Sequence, residues 1–152
     1  MKRFRFNLEK VLELRQYREE EAKIELGKAI SILTEIENRI RQNAAAQITA
    51  GKERFSGIAV ANSPIGGGGY SGAFSMFAWD GYILRLEQEA ERLMEEAARA
   101  QLVVDEKRNL YIEASRQVKV MEKLKEKREG EYRKEMFAVQ TREMDDLWRA
   151  KV

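Results

Sequence analysis

The chain has 152 residues, with 28 Lys and Arg against 26 Asp and Glu, one proline, and neither cysteine nor histidine. Its net charge of +2 gives no strong signal for a polyanionic partner, so no nucleic acid is predicted. The lack of cysteine and histidine removes disulfides, thiolate metal sites and the commonest general base, so we predict no cofactor, no metal site and no enzymatic activity.

The first predicted helix follows a short basic and aromatic segment, Lys2 to Phe6. Asn7 is a suitable N-cap, and the helix is predicted over residues 8–55. Arg15 and Glu19 interrupt its apolar series, and polar residues at such positions fix register or contact a partner. Apolar residues recur at steps of four and three, the spacing of a coiled coil, at Leu8, Leu12, Ala22, Leu26, Ala29, Leu33, Ile36 and Ile40.

The N-terminal segment is also informative about targeting. No apolar stretch follows its basic residues, so no secretion signal is predicted and we expect a cytoplasmic protein.

Residues 56–79 form an uncharged segment that contains six of the ten glycines and the only proline. Four consecutive glycines, Gly66 to Gly69, predict a flexible connection. The glycines and Pro64 argue against a continuous membrane-spanning helix. A docking segment that becomes ordered on a partner is the alternative, because the segment is rich in large apolar residues, namely Ile58, Val60, Ile65, Tyr70, Phe74, Met76, Phe77 and Trp79.

The second predicted helix covers residues 80–148, and Lys107 is the one break in its apolar series up to Met121. The spacing averages 3.5 residues, which is typical of a left-handed coiled coil. We therefore predict an all-α fold, a long antiparallel two-helix coiled-coil hairpin with a flexible glycine-rich connecting loop, as a single unit of residues 1–152. The series comprises Ile83, Leu86, Ala90, Leu93, Ala97, Ala100, Val104, Tyr111, Ala114, Val118 and Met121.

Beyond Met121 the apolar steps no longer alternate regularly, which indicates a stutter. Phe137, Met144, Leu147 and Trp148 lie outside a single seam. They either pack against the N-terminal aromatic segment or remain available to a partner.

A basic run lies near the same end of the second helix. Five cations stand in ten residues with only two glutamates between them, at Lys119, Lys123, Lys125, Lys127 and Arg128. Such a run is either a solvated face or a contact for an acidic protein, anionic lipid or nucleic acid. Nucleic acid is the weaker candidate because no aromatic residues are interleaved with the cations.

Two long stretches resemble the flagellar export protein FliJ family. They are the opening MKRFRFNLEKVLELRQYREEEAKIELGKA and the later EASRQVKVMEKLKEKREGEYRKE, followed by REMDDLW. The resemblance covers both helices and leaves out the uncharged segment, where the long glycine-rich loop departs from the compact turn of the family. It implies an antiparallel two-helix coiled coil similar to the central stalk subunits of rotary ATPases.

The resemblance also implies partners and a location. FliJ-like proteins associate with the hexameric flagellar export ATPase, promote its assembly, bind the membrane export gate FlhA and handle export chaperones. We therefore expect a non-enzymatic component of type III protein export, flagellum biogenesis, motility and chemotaxis. The expected location is cytoplasmic, peripheral at the inner face of the cell membrane at the flagellar base, with membrane contact only through the export apparatus.

Two groups of site residues follow from the resemblance. The residues expected to face the ATPase ring are Phe4, Phe6, Leu8, Lys123, Lys125, Lys127 and Arg128. Those expected to face the export gate are Trp79, Tyr82, Leu86 and Leu93. Leu86 and Leu93 also belong to the predicted seam, so both roles are compatible only if the first helix stops short of them.

Two other classes of function remain open. A generic coiled-coil scaffold or adaptor would self-associate into longer bundles. A membrane-surface binder would use the N-terminal KRFRF segment and the lysine run. The glycine run is followed by no Lys-Ser or Lys-Thr pair, so no phosphate-binding loop is predicted.

Overall fold

The computed structural model describes residues 4–61 and 69–151, with side chains described for residues 4–57 and 76–151. Helix α1 spans Glu9–Ala61 and helix α2 spans Gly69–Ala150. The two helices run antiparallel. Glu9, at the start of α1, forms an ion pair with Lys125 in the second half of α2, and Arg54, near the end of α1, pairs with Asp80 in the first part of α2. The predicted all-α helical hairpin is confirmed. Neither helix, within the part of the chain that the structure describes, has a stretch apolar enough to cross a membrane.

Both helices extend further than the sequence predicts. Residues 56–61 and 69–79, expected in the connection, are helical, and Asp80 lies inside α2 rather than at its start. Once a helix exists, each added residue contributes a hydrogen bond for one residue fixed, and a glycine costs only about 1 kcal/mol relative to alanine. The remainder of the expected connection, residues 62–68, lies outside the described residues.

The chain divides into two compact units, and unit 1 comprises Met1–Leu26 and Lys107–Val152. Its core is formed by four buried side chains, Phe6, Leu12, Val118 and Met121. Phe4, Leu8 and Leu124 are partly buried against this cluster. The buried positions Leu12, Val118 and Met121 are ones that the heptad spacing predicts.

Unit 2 comprises Gly27–Glu106. Leu93 and Val104 are its most deeply buried large side chains, with 2% and 1% of their surface exposed, and Leu86, Ala29 and Ala50 are also buried. Asn43 is a buried polar residue in this seam, and its Nδ2 donates to the Leu86 carbonyl at 3.1 Å. The predicted seam positions Leu86, Leu93 and Val104 are confirmed.

Candidate functional site

Phe4 and Phe6 of the N-terminal segment pack against α2 within unit 1. Phe6 is buried, with 8% of its surface exposed, and Phe4 stacks at a tilt on Tyr132 with ring centroids 5.5 Å apart. The Glu9 amide donates to the Phe6 carbonyl at 3.1 Å, which fixes the approach of the segment to α1. Phe6 is therefore a packing residue, whereas Phe4 and Leu8 keep part of their surface exposed.

The basic run divides into paired and exposed cations. Lys125 is half-buried, and its Nζ donates to Glu9 Oε1 at 2.8 Å. Lys123, Lys127 and Arg128 are exposed. The heptad explains the difference, because Lys125 lies seven residues after the buried Val118 and so faces α1.

The charge around these cations is uneven along the chain. Counted over the sequence, unit 1 carries 20 Lys and Arg against 15 Asp and Glu, whereas unit 2 carries 8 against 11. The overall balance of +2 therefore conceals an excess of positive charge in unit 1. An excess of one sign attracts partners of the opposite sign and speeds their association.

The four residues expected to face the export gate do not share one environment. Leu86 and Leu93 are buried, and α1 runs past both, since Asn43 contacts Leu86 and Arg39 contacts Glu96 at 3.8 Å. The condition that the first helix stops short of these leucines is not met. Trp79 is half-buried and Tyr82 is exposed, and their rings meet edge to face with centroids 5.9 Å apart.

Phe55 was not assigned to a site by the sequence, whereas Phe77 belongs to the segment of residues 56–79 that the sequence offers as an alternative docking segment. Phe55 and Phe77 are exposed to 73% and 76% of their surface. In unit 2, Arg54, which precedes Phe55, pairs with Asp80, with Nε 2.5 Å from Oδ1. Phe77 lies two residues before Trp79. Phe55 was not considered as a surface residue because the first helix was predicted to end at that position.

Tyr17 is a perturbed titratable group on the surface of α1. The exposed Tyr17 hydroxyl donates to the Glu21 carboxylate one turn later, and this bond together with the negative charge raises the pKa of Tyr17. Within the described residues, no group of three or more His, Cys, Asp or Glu is placed to hold a metal ion.

Comparison with known proteins agrees with the helical hairpin. The family profile described as "Flagellar FliJ protein" matches residues 4–150, nearly the full chain. No curated protein and no solved structure matches the chain. The match includes both helices, Phe4 and Phe6 of the N-terminal segment, and the basic run. The chain therefore belongs to the flagellar FliJ family and is a component of the flagellar export apparatus.

Proposed function

We propose that this chain is a non-enzymatic, stalk-like component that binds the export ATPase ring and promotes its assembly or activity. In this proposal it also links the ring to the export gate FlhA and to export chaperones, from the cytoplasmic face of the membrane at the flagellar base. The observation that carries the proposal is the surface of unit 1. There the anchored N-terminal segment lies on the same unit as the exposed cations Lys123, Lys127 and Arg128.

Physical chemistry assigns different roles to the residues of this surface. Phe6 is buried and holds the N-terminal segment in place, and Lys125 is bonded to Glu9 at the start of α1, so in this proposal neither supplies the ATPase contact. Phe4 and Leu8 supply apolar contact area, and the exposed cations supply attraction to an acidic surface. A stalk of this kind needs no catalytic group, because hydrolysis belongs to the ATPase.

The proposed gate contact uses the exposed part of unit 2. Tyr82 and the accessible part of Trp79 would touch the gate, because large aromatic side chains dominate the energy of many interfaces. Leu86 and Leu93 would act indirectly, since burial against α1 holds the α2 turn that carries the two rings.

The experiment measures ATP hydrolysis by the cognate export ATPase with and without the chain, together with ring formation in electron micrographs. We expect faster hydrolysis and more rings with the chain. Lys123→Glu combined with Lys127→Glu should weaken both effects, because two exposed cations become repulsive to an acidic surface. The matched control reverses two exposed cations of unit 2, Arg41→Glu with Lys52→Glu, and should behave as the unaltered chain does. Unchanged hydrolysis and ring number with the unaltered chain would contradict the proposal.

A further inference from the structure

The C-terminal segment of α2, residues 133–150, carries a row of large apolar side chains that we call the C-terminal stripe. It consists of Phe137, Met144, Leu147 and Trp148, which expose 72%, 59%, 64% and 72% of their surface. Every residue from Phe137 to Ala150 is exposed. So large a set of exposed apolar groups in four turns of one helix indicates an interaction surface.

The stripe is not a continuation of the hairpin seam. The heptad positions that follow Val118 and Met121 along this segment are mostly charged, and they hold Glu135, Val139, Arg142, Asp146 and Arg149. The stripe lies instead at steps of seven, three and one from Phe137. The stripe is therefore not the surface of α2 that packs against α1, and a different partner must cover it.

Cations lie on the same face as the stripe. Lys134 precedes Phe137 by three residues, and Lys151 follows Leu147 and Trp148 by four and three. Arg133 lies beside Lys134 but pairs with Glu129, with Nη2 2.6 Å from Oε1. The Lys151 amide donates to the Trp148 carbonyl at 3.3 Å, and Met144, Leu147, Trp148 and Lys151 line one surface groove.

The acidic residues of the segment lie elsewhere. At about 100° per residue, all four fall more than about a quarter turn from the middle of the stripe; they are Glu135, Glu143, Asp145 and Asp146. The segment thus has an apolar face with a cation at each end, and a polar face that carries its acids.

We propose that this segment lies on an anionic membrane surface, with the C-terminal stripe in the headgroup boundary and its flanking cations on the lipid phosphates. Aromatic and aliphatic side chains on one face, with Lys or Arg beside them, are the pattern of interfacial helices. No described helix is apolar enough to span the bilayer, so the contact is superficial. Glu135 and Asp146 lie opposite the stripe and point to water, where they are least repelled by the lipid, and Glu143 and Asp145 lie at the sides of the stripe.

A second copy of the chain fits the stripe less well. An antiparallel pair that places Phe137 of one chain opposite Trp148 of the other also places Lys134 opposite Lys151. Like charges that face each other across a helix pair are destabilising. A flat anionic surface instead attracts the cations at both ends of the stripe at once.

The test is flotation of the full chain with phosphatidylcholine vesicles and with mixed phosphatidylcholine–phosphatidylglycerol vesicles. We expect binding to the mixed vesicles that is about 30-fold tighter than to the neutral ones, from the two cations Lys134 and Lys151 near the surface. In a Trp79→Phe background Trp148 is the remaining tryptophan, and its emission should shift to the blue on the mixed vesicles. Phe137→Ser with Trp148→Ser should abolish flotation.

Two charge variants test whether the position of a cation on the helix matters, or only the total charge. Lys134→Gln with Lys151→Gln should weaken binding to mixed vesicles about 30-fold. Arg142→Gln with Arg149→Gln removes the same charge from the other face of the same helix and should retain binding. Equal effects of the two pairs would overturn the proposal, as would the absence of flotation.

Other occupants give distinct results that also overturn the proposal. Loss of flotation in Lys119→Gln with Lys123→Gln, but not in the stripe variants, would move lipid binding to the basic run. A rise in mass with concentration that Trp148→Ser abolishes, without vesicle binding, would assign the stripe to a second copy. None of these measurements includes the ATPase, so their outcome is independent of the proposed ring contact.

Discussion

Lysines that are neighbours in sequence have different roles in this protein. Lys123 and Lys127 are exposed, whereas Lys125 reaches across to Glu9 from a seam position. The sequence predicts a single basic group, because the run of cations is more conspicuous than the heptad beneath it. The heptad spacing already distinguishes Lys125 from the exposed lysines, since Lys125 and Tyr132 follow the buried Val118 at intervals of seven.

We expect the Lys125–Glu9 pair to make a small contribution to stability. Both side chains remain partly exposed, 37% and 43%, so their attraction is screened by water. Lys125→Gln and Glu9→Gln should each lower the free energy of unfolding by at most about 1 kcal/mol, with a coupling of about 0.5 kcal/mol in the double variant. Urea denaturation measures these values. Lys127→Gln, an exposed neighbour, should change stability by no more than about 0.5 kcal/mol, and a larger loss there would contradict the division of the run.

Tyr17 gives a pH dependence that is specific to one residue. Its hydrogen bond to Glu21 favours the protonated phenol, so the pKa of Tyr17 is above its ordinary value of 10.0. The resulting stabilisation is fully present below the unfolded pKa and is lost as pH rises through the higher folded pKa. The absorbance of tyrosinate, compared between the unaltered chain and Tyr17→Phe, measures this group. Glu21→Gln should lower the pKa of Tyr17, and an unchanged titration in that variant would contradict the assigned cause.

Among the helical elements, the seam of unit 2 contains a polar group that the sequence pattern missed. Gln47 Nε2 donates to Asn43 Oδ1 at 2.7 Å, and Asn43 in turn donates to Leu86. The predicted series stopped at Ile40, yet Asn43, Gln47 and Ala50 continue it by steps of three, four and three. Apolar periodicity cannot detect seam positions that are occupied by amides, although the spacing alone would have extended the series.

We expect Asn43 to specify register at a cost in stability, as buried polar residues do in coiled coils. Asn43→Leu should raise the free energy of unfolding by about 1 kcal/mol, because an amide is no longer taken from water. The same change should allow a second register, shifted by one heptad or about 10 Å. Spin labels on cysteines placed at Arg39 and Glu96 report the register, and the chain has no native cysteine to interfere.

The control for this experiment keeps the polar group and changes the packing beside it. Ala46→Ser alters a half-buried position next to Asn43 without removing the amide, so a single distance peak should persist. A single peak in Asn43→Leu as well would mean that packing of Leu86 and Leu93 sets the register without the amide.

At the scale of the whole chain, the sequence predicts the fold better than it predicts the surfaces. Heptad spacing identified the buried Leu12, Leu93 and Val118 because burial of one face controls which residues may occupy it. Helix ends were less predictable, since glycine and serine weaken a helix by amounts that an existing helix tolerates. The uneven charge of the two units was invisible in the net value of +2, because it depends on which parts of α1 and α2 meet.

The antiparallel contacts within one chain predict a protein that folds without a second copy. In unit 1 Arg15 reaches the Gln117 carbonyl at 3.4 Å, and in unit 2 Arg54 reaches Asp80, so each seam has its partner in the same chain. The thermal midpoint should therefore stay constant over about a hundredfold range of concentration, since unimolecular unfolding has no mass-action term. Sedimentation equilibrium without lipid should give the monomer mass, calculated at 17.7 kDa. A generic scaffold coiled coil would instead show a midpoint that rises with concentration. That result would mean that exposed residues such as Leu102, at 69%, are covered by other copies in solution.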